Sequence, residues 1–277
     1  MTMEARSAPQ GRVALVTGAG SGIGRAIALR LAAGGAVIVV ADIDGAAAER
    51  VCREIRDGGG VATPCTADVS SSSDVTRLLE TTASQWGRLD VLVNNAGIVV
   101  RGRAEDITDE EWARMVAVDL TSVFLCSRGA LSLLRAAGGG RIVNIASVAG
   151  LLGAVSAPYT AAKGGVIALT RQLAGEFADA GITVNCICPG FVATPLNAAV
   201  RAEGLEEILA ARIPLRRWGT PDDVAGLVAF LVGADAGYIT GASIPIDGGL
   251  SSFLDLGERY RTFDRTVPAT SPAGGQR

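Results

Sequence analysis

The chain has 277 residues, 49% hydrophobic and 19% charged, with a net charge of −3, a balance that excludes a disordered chain and allows a sizeable core. Mean hydropathy is +0.36, yet no uninterrupted apolar run reaches the roughly 18 residues of a membrane span, 1–10 holds no signal-peptide core, and no basic block invites nucleic acid. There is no histidine, which excludes Ser-His-Asp and Cys-His catalysis and every histidine-ligated metal site. From 12 to 97, short β-branched runs alternate with helical stretches, the pattern of βαβ units and a parallel sheet. Strands are predicted at 12–18, 36–43, 61–69 and 90–97, with helices at 22–33, 46–56 and 74–86 between them. A long helical region at 108–136 precedes a strand at 141–147, a helix at 157–177 and a strand at 182–190. A helical insertion at 194–212, a helix at 221–231 and a strand at 242–249 follow.

These elements predict an α/β fold of Rossmann type: a doubly wound, mostly parallel sheet of seven strands with helices on both faces. One domain spans 11–250. Its insertion at 194–212 is expected to overhang the carboxyl ends of the strands as a substrate lid, because open α/β sheets bind ligands there. Residues 1–10 read as a flexible N-terminus and 251–277 as an extension with a disordered end. Five cysteines without a CxxC pair (Cys52, Cys65, Cys126, Cys186, Cys188) read as reduced, mostly buried thiols and give no metal site. The protein is expected to be cytoplasmic, with no membrane or nucleic-acid partner.

Three groups of residues carry chemistry. The first strand runs into Thr17-Gly18-Ala19-Gly20-Ser21-Gly22-Ile23-Gly24, a GxxxGxG turn opening a helix, where small residues let backbone N–H groups approach a pyrophosphate at the positive helix end. Asp42 closes the second strand, at the distance where a carboxylate accepts from an adenosine ribose; a strand-end Asp could equally cap the next helix. Tyr159 and Lys163 stand four apart at the start of a predicted helix, so they share a face, and an ammonium one turn away favours a phenolate that can exchange protons. Lys163 is the only lysine in the chain. Ser147, ending its strand on the same side of the sheet, is placed to hydrogen-bond a substrate oxygen, or else serves as a turn residue.

The glycine turn, NNAG (Asn94 to Gly97), Ser147, YTAAK (159–163) and PGFVAT (189–194) stand in one order, and in this the sequence resembles the short-chain dehydrogenase/reductase family from about 11 to 249. The resemblance implies that Tyr159 is the acid/base, that Lys163 assists it and holds the nicotinamide ribose, and that Ser147 orients the substrate carbonyl. It implies further that Thr17, Gly18, Gly22, Ile23 and Gly24 cradle the cofactor, that Asp68 and Val69 border the adenine, and that Asn95, Ala96 and Gly97 lie along the ribose. Pro189, Gly190 and Thr194 would touch the carboxamide. Family members are commonly tetramers, joined through the helices at 108–136 and 157–177 and the C-terminal strand.

Two departures stand out. Val118-Asp119-Leu120 places an Asp where the family has its fourth catalytic residue, an Asn; the shape is kept and the amide donor is lost, so a retuned proton relay is expected. The spacing from Ser147 to Tyr159 is one residue short, which implies a tightened loop at 148–158. The expected activity is hydride transfer between a secondary alcohol or ketone and a nicotinamide cofactor. NAD (NADH) is expected over NADP because Asp42 would meet a 2′-phosphate with like charge, while Ser21 and Ile43 stand where NADP users place a basic residue. The alternatives are an NADPH-dependent 3-oxoacyl reductase and, in another class, a catalytically weakened binding or structural subunit. Substrate walls are expected at 99–103, 149–157 and 191–212, mostly apolar, for a neutral alcohol.

Overall fold

The structure, a computed structural model, describes residues 11–253; the expectations for 1–10 and for the extension past 253 lie outside the described residues. Seven strands form one sheet: β1 (Val13–Thr17), β2 (Val37–Asp42), β3 (Val61–Thr66), β4 (Val91–Asn94), β5 (Gly140–Ile145), β6 (Ile182–Pro189) and β7 (Ser243–Ile246). Their order is β3-β2-β1-β4-β5-β6-β7 and every pairing is parallel, so the expected seven-stranded Rossmann-type sheet is present. The interior strands read as continuous apolar runs because helices cover both their faces; every residue of β1 and β6 is buried. The two edge strands each carry a proline, Pro64 and Pro245, which only an edge tolerates because proline has no N–H for the ladder.

Helices α1 (Gly22–Ala33), α2 (Gly45–Asp57) and α9 (Pro221–Val232) bury their apolar faces on one side of the sheet. On the other side lie α3 (Ser72–Trp86), α5 (Ser122–Ala136) and α6 (Ala157–Phe177). Side chains fix several starts: Asp44 accepts from the N–H groups of Ala46 and Ala47 at the head of α2, Ser71 caps α3, and Thr220 with Asp223 forms a capping box on α9 behind Pro221.

Two predicted helical stretches are interrupted. Region 108–136 is α4 (Asp109–Val116), a π-helical turn (Ala117–Thr121) and then α5; the wider turn turns Asp119 inward, and such turns often mark functional positions. By length and composition alone 109–136 could cross a membrane, but its inner face packs on α3 and α6 and carries a buried carboxylate. The insertion at 194–212 is no single helix: a short turn (Pro195–Asn197), α7 (Ala198–Ala202) and α8 (Leu205–Ala210) are separated by Gly204, whose φ of 71° halts the helix.

The chain builds β1, β2 and β3 outward on one side and then returns to place β4 against the other side of β1. Connections leaving β1 and β4 therefore diverge, opening a crevice at their carboxyl ends.

Candidate active site

A cavity of about 800 Å³ occupies that crevice. Gly18, Gly22 and Ile23 form its floor. Gly18 has φ of 61°, and a Cβ there would fall 2.7 Å from Cα of Ala96, so only glycine lets the turn lie against the end of β4. Helix α1 starts at Gly22, and Ser21 makes no side-chain cap, leaving the first N–H groups and the positive helix end to a ligand. Thr17 and Gly24 do not line the cavity; they hold it from behind. The Thr17 hydroxyl accepts from the N–H groups of Asn95 (3.0 Å) and Ala96 (3.1 Å), while Asn95 Nδ2 donates to the carbonyls of Thr17 (2.9 Å) and Gly18 (3.0 Å). A Cβ on Gly24 would lie 2.2 Å from the Gly18 carbonyl oxygen.

Asp42 lines the adjoining wall. Its Oδ2 accepts from Gly20 N–H at 2.8 Å and its Oδ1 from Asp44 N–H at 2.9 Å, so the carboxylate faces the glycine turn. The alternative of a helix cap falls to Asp44, which caps α2. Ser21 and Ile43, both uncharged, flank Asp42 in the lining. Arg25 is turned away, in an exposed ion pair with Glu54 of α2. Asp68 and Val69, in the β3–α3 loop, line the same end; Asp68 Oδ1 accepts from the N–H (2.9 Å) and hydroxyl (2.6 Å) of Ser70.

At the other end the cavity is lined by Ser147, Tyr159, Lys163, Asp119 and Gly97. Ser147 ends the run beyond β5; its Oγ accepts from Ala149 N–H at 3.1 Å. It is thus a turn residue as well, but its O–H proton remains available to a ligand oxygen. Tyr159 and Lys163 lie one turn apart on α6, and Lys163 Nζ is 5.8 Å from the centre of the Tyr159 ring. Lys163 is buried, donates to the Ile145 carbonyl at 3.1 Å, and lies 3.1 Å from Asp119 Oδ1. Burial opposes its charge, but attraction to Asp119 and Tyr159 outweighs burial and raises its pKa above the ordinary lysine value. The expectation that Asp119 would act through a retuned relay did not include this contact: the carboxylate is the direct counter-ion of the lysine.

Pro189, Gly190 and Thr194 close the cavity toward β7. A Cβ on Gly190 would meet Asp247 Cβ at 2.8 Å, and the Thr194 methyl reaches to 3.5 Å of where a Cβ on Gly22 would stand. The expected substrate walls are only partly in place. From 191–212, Val192 and the run from Thr194 to Asn197 line the cavity, with Ile98 beside them, whereas 99–103 and 149–157 do not. Arg101 donates to Asn197 Oδ1 (3.1 Å), and Ser156 Oγ to the Val100 carbonyl (2.6 Å). The loop before Tyr159 closes through a three-residue turn in which Ser156 N–H donates to the Ala154 carbonyl at 3.0 Å. Val155, its centre, has φ of 73°, a strained conformation for a β-branched residue.

Sequence reasoning missed the wall formed by Ala113, Arg114, Ala117 and Val118. The only available signal was helical spacing back from Asp119. The five cysteines are free thiols, four buried and Cys65 half-buried, and burial pushes Cys52 up to about 11 and Cys126 up to about 12. Among the described residues no group of side chains could hold a metal ion.

Comparison with known proteins places this geometry. A family model described as enoyl-(acyl carrier protein) reductase matches residues 18–251. A 3-oxoacyl-[acyl-carrier-protein] reductase of Synechocystis sp. is 43% identical over 245 residues, covering 87% of this chain and 98% of that protein. A cyclohexanol dehydrogenase of Acinetobacter sp. is 42% identical over 243 residues, covering 87% and 95%. Among solved structures, a short-chain type dehydrogenase/reductase from Mycobacterium marinum superposes with a TM-score of 0.84 at 34% identity, covering 89% of this chain and 98% of its own. A variant actinorhodin polyketide ketoreductase with NADPH superposes with a TM-score of 0.85 at 38% identity, covering 89% and 100%.

Proposed function

Because this chain belongs to the short-chain dehydrogenase/reductase family, whose members bind a nicotinamide cofactor, we propose that it interconverts a secondary alcohol and the corresponding ketone using NAD(H). One observation carries this reading: Ser147, Tyr159 and Lys163 line the same cavity as the glycine turn and Asp42. The residues fit a nicotinamide dinucleotide. The uncapped start of α1 offers N–H groups to the pyrophosphate, Asp42 offers acceptor oxygens to ribose hydroxyls, and Lys163, which donates to the Ile145 carbonyl and faces Asp119 as its counter-charge, keeps donor capacity for a hydroxyl in the cavity.

When bound, the nicotinamide ring supplies the acceptor or donor of hydride. In the oxidative direction Tyr159 Oη, as phenolate, takes the alcohol proton while the carbon gives up hydride and the C=O bond forms; in reduction the same oxygen returns the proton. Ser147 donates its O–H to the substrate oxygen and fixes its place beside Tyr159. Lys163 stabilises negative charge on Tyr159. Neither a metal nor a histidine enters any of these steps.

Replacing Tyr159 by Phe removes only the proton carrier, so turnover should fall by about 10³-fold or more while NADH affinity, read from cofactor fluorescence, stays within a few-fold. Substantial remaining turnover would remove Tyr159 from this role. Cyclic secondary alcohols, the substrates in the names of the Acinetobacter relative and of a 42%-identical cis-4-hydroxycyclohexanecarboxylate dehydrogenase of Sinomonas cyclohexanicum, are the first panel. The second reading, an NADPH-dependent 3-oxoacyl reductase, is favoured by the Synechocystis relative and opposed by Asp42; turnover of a 3-oxoacyl thioester with NADPH, and none of cyclic alcohols with NAD, would select it. We also propose self-association through the outer face of α4 and α5, which exposes Trp112 and Phe124; sedimentation of the full chain as a monomer would refute this.

A further inference from the structure

Asp119 and Lys163 form a closed electrostatic unit. Asp119 is fully buried, and the Lys163 side chain is 6% exposed. Asp119 Oδ2 accepts from Ile98 N–H at 2.9 Å; Oδ1 accepts no well-aligned hydrogen bond and has the ammonium at 3.1 Å as its counter-charge. The fold leaves space for this pair: a Cβ on Gly97 would lie 2.8 Å from Asp119 Oδ1 and 3.4 Å from Lys163 Nζ, so a side chain at residue 97 would displace the pair as it stands. The carboxylate therefore leans on the ammonium, and the ammonium is the group that stabilises charge on Tyr159.

We propose that Asp119 is a positioning residue that holds Lys163 in a buried, nearly neutral ion pair and so weakens the lysine's pull on the Tyr159 phenolate, setting the enzyme to work at higher pH than a lone lysine would. The proposal rests on the dehydrogenase reading above, and deepens it. A phenolate formed beside a neutral pair gains less than one formed beside an uncompensated cation, because the carboxylate's field opposes the ammonium's at short range. One other acidic neighbour faces the pair. Cys188, on β6, faces Lys163 and is hydrogen-bonded to Cys186, a contact that raises the Cys188 thiol and lowers that of Cys186; these two thiols are the same in wild type and in every variant below. Asp247 lies beyond Cys188. Asp42, Asp68 and Arg114 belong to the remaining cavity walls, the segment after β5 contributes the uncharged Ser147, and the β4 loop contributes Gly97 and Ile98.

The test is the phenolate titration of the cofactor-free protein by ultraviolet difference absorbance, with Tyr159 isolated by subtracting the same titration in a Tyr159→Phe background. Asp119→Asn should lower the Tyr159 midpoint by about one pH unit or more, the order expected for removing one nearby charge at an effective dielectric near 20. Lys163→Met should raise it. The double variant, which removes both charges and so leaves no unpaired buried ion, should return to within about half a unit of wild type. A midpoint that stays or rises in Asp119→Asn overturns the proposal. Should that variant fail to fold, a double variant far from the wild-type midpoint overturns it instead. The pH profile of alcohol oxidation should move with the titration. A shifted midpoint in a protein that oxidises no alcohol supports the ion-pair role while removing the dehydrogenase reading; turnover with an unmoved midpoint does the reverse.

Discussion

The two ends of the cavity are built by opposite means. At the cofactor end, backbone packs on backbone: Gly18 and Gly24 sit where a single added carbon would collide with Ala96 or with the Gly18 carbonyl, and Thr17 and Asn95 tie the turn to β4 through four hydrogen bonds. In the loops expected to form the substrate rim, side chains are exposed. Leu151, Leu152, Val155, Leu196 and Ile208 are exposed, Gly153 has open space around it, and the Arg101–Asn197 bond lies on the surface. The glycine turn therefore has no freedom left, whereas the exposed loops can change without loss of the fold, a division that suits the cofactor and substrate roles proposed for them.

The sharpest way to break this contrast is a pair of glycine substitutions. Gly24→Ala should cost more than about 3 kcal/mol, because it meets the backbone of Gly18 and Ala19 and an Asn95 amide that two hydrogen bonds hold in place, while Gly153→Ala should stay within about 0.5 kcal/mol; denaturant unfolding of both variants decides. Equal costs would erase the distinction between the two ends. Next in size is cofactor choice. NAD should be preferred over NADP by about a hundredfold in kcat/KM, equivalent to about 3 kcal/mol, since the Asp42 carboxylate would meet a 2′-phosphate with like charge if it faces the ribose as proposed. Asp42→Ser with Ile43→Arg should narrow or reverse the ratio. Equal use of both cofactors by the wild type would show that Asp42 does not govern the choice.

Smaller effects sharpen the other side. Val155→Gly should raise stability by up to about 1 kcal/mol, the relief of positive φ partly offset by the greater freedom of glycine in the unfolded chain. A fall in the unfolding midpoint would mean that the side chain is held by more than its strain. Arg101→Ala removes one exposed hydrogen bond across the mouth and should change KM only a few-fold with kcat unaltered. A large fall in kcat would give the rim a part in the chemistry.

Much of this is legible in the sequence alone. β-branched runs and glycine spacing placed all seven strands and the turn at Gly18 to Gly24, because buried parallel strands need unbroken apolar sequence and a phosphate-binding turn needs small residues. Tyr159 and Lys163 were found through helical spacing, a local property. What is not legible is also local in cause: the π-helical turn at Ala117–Thr121 and the break at Gly204 in the 194–212 insertion do not alter apolar periodicity enough to show in it.

The sequence by itself determined the order of elements, the composition of the glycine turn and the residue types offered to the site. Only the tertiary structure decided which of them meet. That Asp42 turns toward Gly20 rather than capping α2 depends on Asp44 taking the cap. That Asp119 becomes the counter-ion of Lys163 depends on where the π-helical turn passes α6. Periodicity encodes which face of an element is buried, whereas a contact between side chains remote in the chain is fixed by how two elements cross, and at that crossing burial turns a change from amide to carboxylate into a charge that must be balanced.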